Sequence, residues 1–332
     1  MNKSQAKFQH YIPRFQLRYL LDKDEQLYVY DKKQNIIRKQ SLNSIGGVNK
    51  IYTYKDKEGK EHTEVEDLNT QIEGIAAPII KELHSGKKTL LTGQEKADLS
   101  VLLALNWQRT PAAKERTELL LEAGATMFFR ANALDKEAFH KRAAEIEKKT
   151  GKDFGDKEKL RQSILDNRYR IKFDNLAYLQ ALVVNLLDIA AEIQNMAWQV
   201  NIIKDKKSFI FPDVNFTIEQ VEPAPQPYGE RGLLTPGTQS MCVLTNKVVI
   251  TMLPFAGRTF FINPTMDFVK SSNTINAVRA QRFIFSNSDA LLQSVVKRTK
   301  LYNIPSEKIG VKVYSGIERK EFVFTNKKQK SK

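Results

Sequence analysis

The sequence predicts an α+β fold with a small N-terminal β element, a helical middle and a β-rich C-terminal part. Three observations predict it. Apolar and polar residues alternate around a polar turn near residues 26–40. Apolar residues then recur three and four apart from about 65 to 197. After 205 the chain turns to Val-, Ile-, Phe- and Thr-rich segments. Strands and helices are segregated along the chain, which argues against a doubly wound parallel sheet. The expected division is 1–205, a β-hairpin plus helical region, and 206–325, a β-rich region packed as one unit with the first. Residues 326–332 form a basic tail.

Residues 8–20, FQHYIPRFQLRYL, read as an extended stretch followed by a short helix from Pro13. Proline suits a first helical position, where its missing N–H has no partner to lose. QLYVYDKKQNIIRKQ alternates around the turn Lys32–Asn35 and predicts a hairpin. NKIYTYKDKEGKEH reads as another strand running into a lysine-rich loop. Thr63 and Glu66 have capping-box spacing, so a helix is expected to start there. Val65, Leu68, Ile72, Ile75, Ile79 and Leu83 give it an apolar stripe, and Gly86 a stop.

Thr92 or Gly93 caps a second helix that runs to Arg109 and ends near Thr110, because Pro111 disfavours helix in the residue before it. Val101 to Leu105 is apolar all round, which predicts a buried helix. Residues 112–134 read as helical, and Asp135 caps a helix that stops at Gly151. From 136 to 172 there are 12 basic and 7 acidic residues, the pattern of a solvated, mildly basic arm. Residues 173–203 read as one long helix with apolar positions 176, 179, 183, 186, 190, 193 and 197. Strands are then expected in 208–221, 240–254 and 258–263. Five of the 11 prolines lie between 212 and 236, so 222–237 reads as an exposed loop. A helix near 273–299 and a last strand over 310–324 complete the pattern.

The net charge of +15 favours polyanionic partners, nucleic acid foremost. The single cysteine, Cys242, excludes an internal disulfide framework and fits a reducing compartment. The N-terminal residues contain no secretory apolar run, and the most apolar helix carries Asn185, Asp188, Glu192 and Asn195, unsuited to lipid. The expected location is the cytoplasm, with no membrane partner. Nucleotide-binding glycine loops, HExxH, Cys/His zinc spacing and the GxSxG elbow are absent. Arg130 and His140 are too far apart for the Arg-to-His spacing of helical ribonucleases.

The candidates are therefore polar residues in apolar surroundings. His10, between Phe8 and Ile12, titrates near neutrality and suits acid–base work or simple core hydrogen bonding. Arg14 and Arg18, four apart, share a helix face that can hold phosphate or pair with acids. Glu73 lies beside the buried stripe of its helix, as a base, a metal ligand or an ion-pair partner of Arg14, Arg18 or Arg109. Arg109 ends the most apolar helix and must be paired or solvated. Asp213, after the strand-like FIF, is a metal-ligand candidate or a turn aspartate.

HYIPRFQLR, LYVYDK, IYTY, QIEGIAAPIIKEL and LALNWQRTP occur in the order and spacing of a bacterial domain-of-unknown-function family, and the chain resembles it (DUF4238-like). The likeness is specific over about residues 10–111. It implies that His10, Tyr11, Pro13, Arg14, Glu73 and Arg109 occupy the family's motif positions. The family's Ser-Asp-Asn-Pro-like stretch corresponds to FPDVNF, which keeps Asp213 but departs after it.

These readings converge on one polar cluster and a nuclease-type effector of bacterial or phage conflict. His10, Glu73, Arg14 and Arg109 would be catalytic, Tyr11 and Arg18 would bind substrate, and Asp213 would hold Mg²⁺ or Mn²⁺. The alternatives are a non-catalytic nucleic-acid- or partner-binding regulator, and a nucleotide or phosphate sensor.

Overall fold

The computed structural model describes residues 8–223 and 232–301, and the backbone of 310–315, 320–325 and 330–331. Its N-terminal part runs β1 (Phe8–His10), α1 (Arg14–Leu17), a 3-10 turn (Arg18–Leu20), β2 (Gln26–Asp31), β3 (Ile36–Ser41), β4 (Gly47–Asn49), β5 (Tyr54–Lys55) and β6 (Glu61–His62). Helices α2 (Glu64–His84), α3 (Gly93–Gln108), α4 (Pro111–Leu134), α5 (Lys136–Thr150), α6 (Lys157–Leu165) and α7 (Asn175–Asn195) follow. The remainder is β7 (Met196–Ile202), β8 (Phe211–Pro212), β9 (Phe216–Gln220), β10 (Thr238–Val243), β11 (Val248–Ala256), β12 (Thr259–Ile262), α8 (Met266–Arg279), β13 (Phe283–Ser286) and α9 (Asp289–Thr299). The last strands are β14 (Gly310–Ser315), β15 (Lys320–Thr325) and β16 (Lys330–Ser331). The fold class is α+β as expected.

The contacts divide the chain differently from a boundary at 205. One unit joins Met1–Ala113 to Leu179–Glu307, and the other joins Lys114–Tyr178 to Lys308–Lys332. In the first unit, a five-stranded sheet has the order β12-β7-β11-β10-β9, antiparallel except for the β12–β7 pair. A four-stranded sheet, β3-β2-β13-β8, draws β2 from near the N-terminus and β13 from near residue 285. Two small pairs, β1–β4 and β5–β6, complete its strands. Tyr30, Ile210, Ala277, Ile284, Leu292 and Val295 form one buried cluster.

The predicted hairpin forms as β2–β3, and Asp31 Oδ1 accepts the turn N–H groups of Lys33 and Gln34 at 2.9 and 3.3 Å. Helix α2 begins as expected, but Thr63 makes no side-chain cap. The capping box lies instead at α3, where Thr92 and Glu95 satisfy each other's N–H groups. The buried face of α2 takes in Asn69 and Ala76, whereas Ile75 points outward at 55% exposure.

Three further expectations need correction. The long helix stops at Asn195, and Met196–Ile202 is the strand β7, hydrogen-bonded on both sides within the sheet. Met196, Trp198, Val200 and Ile202 alternate with Ala197, Gln199 and Asn201, but the apolar positions 190, 193 and 197 prolong the helical spacing of α7 into the strand. The helix expected near 273–299 is two helices separated by β13, whose Phe283–Ser286 pair with β2. The last strand is the antiparallel pair β14–β15.

Residues 224–231 of loop 222–237 and most of the basic tail lie outside the described residues. By length and composition α7 is apolar enough to cross a membrane. In the first unit it buries Leu179, Leu182, Leu186, Ala190 and Ile193.

The second unit is helical with a small sheet, β14-β15-β16. Its basic arm is laced by ion pairs: Glu158 meets Arg161 at 2.8 Å and Lys136 at 3.8 Å, and Lys157 meets Glu147 at 2.8 Å. Arg130, buried, donates to the carbonyl of Leu165 and to Asn167 Oδ1 at the end of α6.

Candidate functional site

Strand β1 decides which of the predicted residues meet. It pairs antiparallel with β4, Phe8 opposite Asn49 and His10 opposite Gly47. Gly46 (φ +65°) turns the chain so that its carbonyl accepts Tyr11 N–H at 2.9 Å and Ile12 N–H at 3.1 Å. A Cβ on Gly47 would lie 2.8 Å from the Gln9 carbonyl oxygen and 2.6 Å from the Phe8 ring, so this close approach needs glycine. His10 ends β1 and Tyr11 lies in the bend that follows, and the two serve two different clusters, where a single one was expected.

The His10 side is the first cluster. The ring is partly buried, and Nε2 lies 3.2 Å from the carbonyl oxygen of Leu42. Donation from Nε2–H to that carbonyl leaves Nδ1 with the lone pair. Burial holds the His10 pKa below the ordinary imidazole value. The Leu42 carbonyl opposes this, the positive fields of Arg14 and Arg109 add to it, and the Glu73 charge opposes it. His10, Arg14, Glu73 and Arg109 thus share one electrostatic neighbourhood.

Arg109 Nη1 contacts Glu73 Oε1 at 2.7 Å, and its Nη2 contacts Asn106 Oδ1 at 2.8 Å. The Arg109 side chain is 0% exposed and Glu73 is 25% exposed. Among the described residues, Arg109 Nε has no hydrogen-bond partner. The Arg109 carbonyl accepts from the Tyr52 hydroxyl at 3.0 Å. Behind it, Asn106 Nδ2 approaches Gln16 Oε1 at 3.5 Å, and Gln16 Nε2 donates to the Leu244 carbonyl at 3.2 Å. Arg109 is therefore anchored inward and reaches the surface only through Glu73. Arg14 is exposed and donates from Nη2 to Asn43 Oδ1 at 2.8 Å. Arg18 is exposed on the 3-10 turn and takes no part in the Arg109 network.

Tyr11 belongs to the second cluster. Burial pushes its hydroxyl well above the usual phenol range, the Asp213 charge pushes it further, and Arg282 partly opposes. Asp213 is buried, and its oxygens accept the backbone N–H groups of Gln281, Arg282 and Phe283 at 2.8, 2.7 and 2.9 Å. The aspartate expected to hold a metal thus closes the turn between α8 and β13. Among the described residues, no three His, Cys, Asp or Glu side chains are grouped to hold a metal ion. Arg282 also grips the buried Asp31 through two contacts, of 3.2 and 2.9 Å. Burial acts to raise the Asp31 pKa, but the Arg282 hydrogen bonds and the turn N–H groups outweigh it and hold the carboxyl below its ordinary value.

The sequence profile of the family described as "Protein of unknown function (DUF4238)" matches residues 9–290. The chain belongs to this family. The match extends well past the 10–111 stretch on which the resemblance rested, and both clusters fall within the DUF4238 region. No curated protein and no solved structure matches the chain.

Within that DUF4238 region, sequence reasoning missed the polar framework around Arg109. Gln9 is buried, accepts Tyr52 N–H at 2.7 Å and donates to Thr53 Oγ1 at 3.1 Å. Gln16 and Asn106 are buried as well. All three are amides flanked by apolar residues, the same signal that singled out His10. Asp31 and Arg282 carried no such signal, since each reads as an ordinary turn or surface residue. Cys242 is buried and its thiol is pushed up to about 12 by burial, which makes it unreactive.

Proposed function

We propose that this family member is a nucleic-acid-directed protein of nuclease type, with His10 as its general base. The observation that carries the reading is the state of His10. It is an imidazole kept neutral near pH 7 by burial, with Nε2 tied to Leu42, and it lies in the field of the exposed Arg14. In this reading Nδ1 removes a proton from a ribose 2′-hydroxyl or a water, and the resulting oxygen attacks the phosphorus as the bond to the leaving oxygen breaks. The Arg14 guanidinium takes up charge on the non-bridging oxygens. Glu73, held by Arg109, is a positioning residue for His10 and Arg14. The net charge of +15 draws the polyanion in, and the proposed setting is cytoplasmic conflict between bacteria and phage.

The test places purified protein on labelled single-stranded RNA, single-stranded DNA and duplex DNA, with and without Mg²⁺ or Mn²⁺. The expected result is cleavage that falls by about 100-fold or more in His10→Ala. Unchanged cleavage in that variant overturns the assignment.

A second reading, a non-catalytic nucleic-acid or partner-binding regulator, draws on the inward direction of the Arg109–Asn106–Gln16 network, which is how a structural ion pair is built. A salt-sensitive mobility shift without cleavage favours that reading.

A further inference from the structure

His10 and Arg14 are both fastened to one short stretch of chain, the 3-10 turn Leu42–Ser44 between β3 and β4. His10 Nε2 meets the Leu42 carbonyl oxygen at 3.2 Å, and Arg14 Nη2 donates to Asn43 Oδ1 at 2.8 Å. The two anchor points belong to neighbouring residues, so one turn sets the imidazole and the guanidinium relative to each other. The turn itself is held from both ends. Leu42 and Ile45 are buried, and the Ser44 hydroxyl donates to the Ser41 carbonyl at 3.0 Å. The Gly46 carbonyl then accepts the N–H groups of Tyr11 and Ile12. Asn43 is exposed on this fixed turn, and its amide oxygen is directed at Arg14.

The kind of acceptor matters as much as its position. The other arginine of this neighbourhood, Arg109, is buried, and the Glu73 carboxylate at 2.7 Å matches its charge. Among the described residues no carboxylate pairs with Arg14, and its hydrogen-bond acceptor is a neutral amide. A carboxylate in that place would hold the guanidinium but cancel its charge. An amide oxygen fixes the direction of the fork and leaves the full charge for an incoming anion. An arginine not held in this way spreads over many rotamers and loses that freedom only on meeting the anion.

We propose that Asn43 is a positioning residue of the His10 site: it aims Arg14 at the phosphate on which His10 acts and leaves the arginine charge intact. The inference rests on the nuclease reading for its substrate, and on the turn alone for its geometry.

Two readouts test it. The first is the titration of the His10 imidazole, followed by NMR on the full chain at low salt, and it needs no substrate. The charged groups in whose field the ring lies are Arg14 on α1, Glu73 on α2 and Arg109 at the end of α3. Arg14→Ala is expected to raise the His10 pKa by about 0.3–0.5. Asn43→Ala is expected to reproduce part of that rise, because the freed guanidinium spreads into solvent, and Asn43→Asp at least all of it. In the Arg14→Ala background, Asn43→Ala is expected to add nothing. The second readout is cleavage of single-stranded RNA, where Asn43→Ala and Asn43→Asp are each expected to lower kcat about tenfold. In the Arg14→Ala background, Asn43→Ala again adds nothing. Two results overturn the proposal: a His10 titration that Asn43→Ala does not move, or an Asn43→Ala effect that persists in the Arg14→Ala background. A wild-type chain that cleaves no nucleic acid overturns the nuclease reading instead, and the titration still decides the role of Asn43.

Discussion

Arg109 and Glu73 form an ion pair of unequal partners. Nη1 lies 2.7 Å from Oε1, yet the arginine is wholly buried while a quarter of the glutamate side chain meets solvent. Removing the partly exposed member strands a buried charge, whereas removing the buried member leaves a carboxylate that water can solvate. Glu73→Gln is therefore expected to cost about 3 kcal/mol or more. Arg109→Met, which fills the space without a charge, is expected to cost less. Adding Arg109→Met to Glu73→Gln should recover part of the loss. Urea midpoints of the three variants check this, and independent, additive losses would contradict it.

The histidines give stability a pH dependence of definite sign. Burial lowers the His10 pKa, and burial followed by the Lys247 charge lowers that of His84. A depressed imidazole binds its proton more readily unfolded than folded. Stability is therefore expected to fall as pH drops below the unfolded value of about 6.5. His62 acts oppositely, because its contacts with Asp56 at 2.8 Å and Glu64 at 3.0 Å raise its pKa. Its contribution is present below the unfolded value and fades as pH rises through the folded one. Melting temperatures from pH 5 to 8 should show the acid-side slope flatten in His10→Gln and the alkaline-side decline vanish in His62→Gln.

Asp213 satisfies three backbone N–H groups at once. Asp213→Ala leaves them buried without acceptors, at about 1–3 kcal/mol each before relaxation. The expected outcome is a large drop in unfolding midpoint, or loss of soluble protein, independent of added Mg²⁺ or Mn²⁺. A mild variant whose stabilisation by metal is lost would instead restore Asp213 as a ligand.

The two threonines with capping-box spacing should separate cleanly. Thr92→Ala removes a cap that is made, at about 1 kcal/mol, while Thr63→Ala removes none and should be close to neutral. Differential scanning calorimetry of the two resolves the difference.

Gly47→Ala drives a methyl into the Gln9 carbonyl and the Phe8 ring, contacts that only a shift of β1 relieves. A loss of about 1–3 kcal/mol is expected, with the His10 proton resonances moving alongside it. An unshifted His10 spectrum would mean that β4 does not position the ring.

Local patterns were legible where one face of an element is buried and the other wet. The β2–β3 hairpin and helix α2 follow from such patterns, whereas the buried core of α3 follows from a run that is apolar all round. β7 was hidden because Ile193 and Ala197 prolong the helical spacing of α7 into it, although Trp198, Val200 and Ile202 alternate with Gln199 and Asn201. β13 was hidden because its four residues are held by β2 and β8, partners remote in sequence. At the site, His10, Arg14, Glu73 and Arg109 were legible as charged or titratable groups beside apolar stripes. The separation of Tyr11 and Asp213 from them was not, because Tyr11 lies in the bend after β1 and Asp213 at the turn between α8 and β13, placements that only the tertiary fold decides. Arg282 became visible only when the turn after α8 carried it back to Asp31.

That return has a consequence for biosynthesis. Asp31 and Arg282 are 251 positions apart, and β2 finds its inner neighbour β13 only when that stretch has been translated. At about 5–20 residues per second, the growing chain carries β2 with one edge unclaimed for roughly 10–50 s. During that interval the edge is open to ribosome-associated chaperones or to another nascent copy. Cells that translate slowly, or that terminate before residue 283, would hold a fragment whose N-terminal hairpin is a ready template for aggregation.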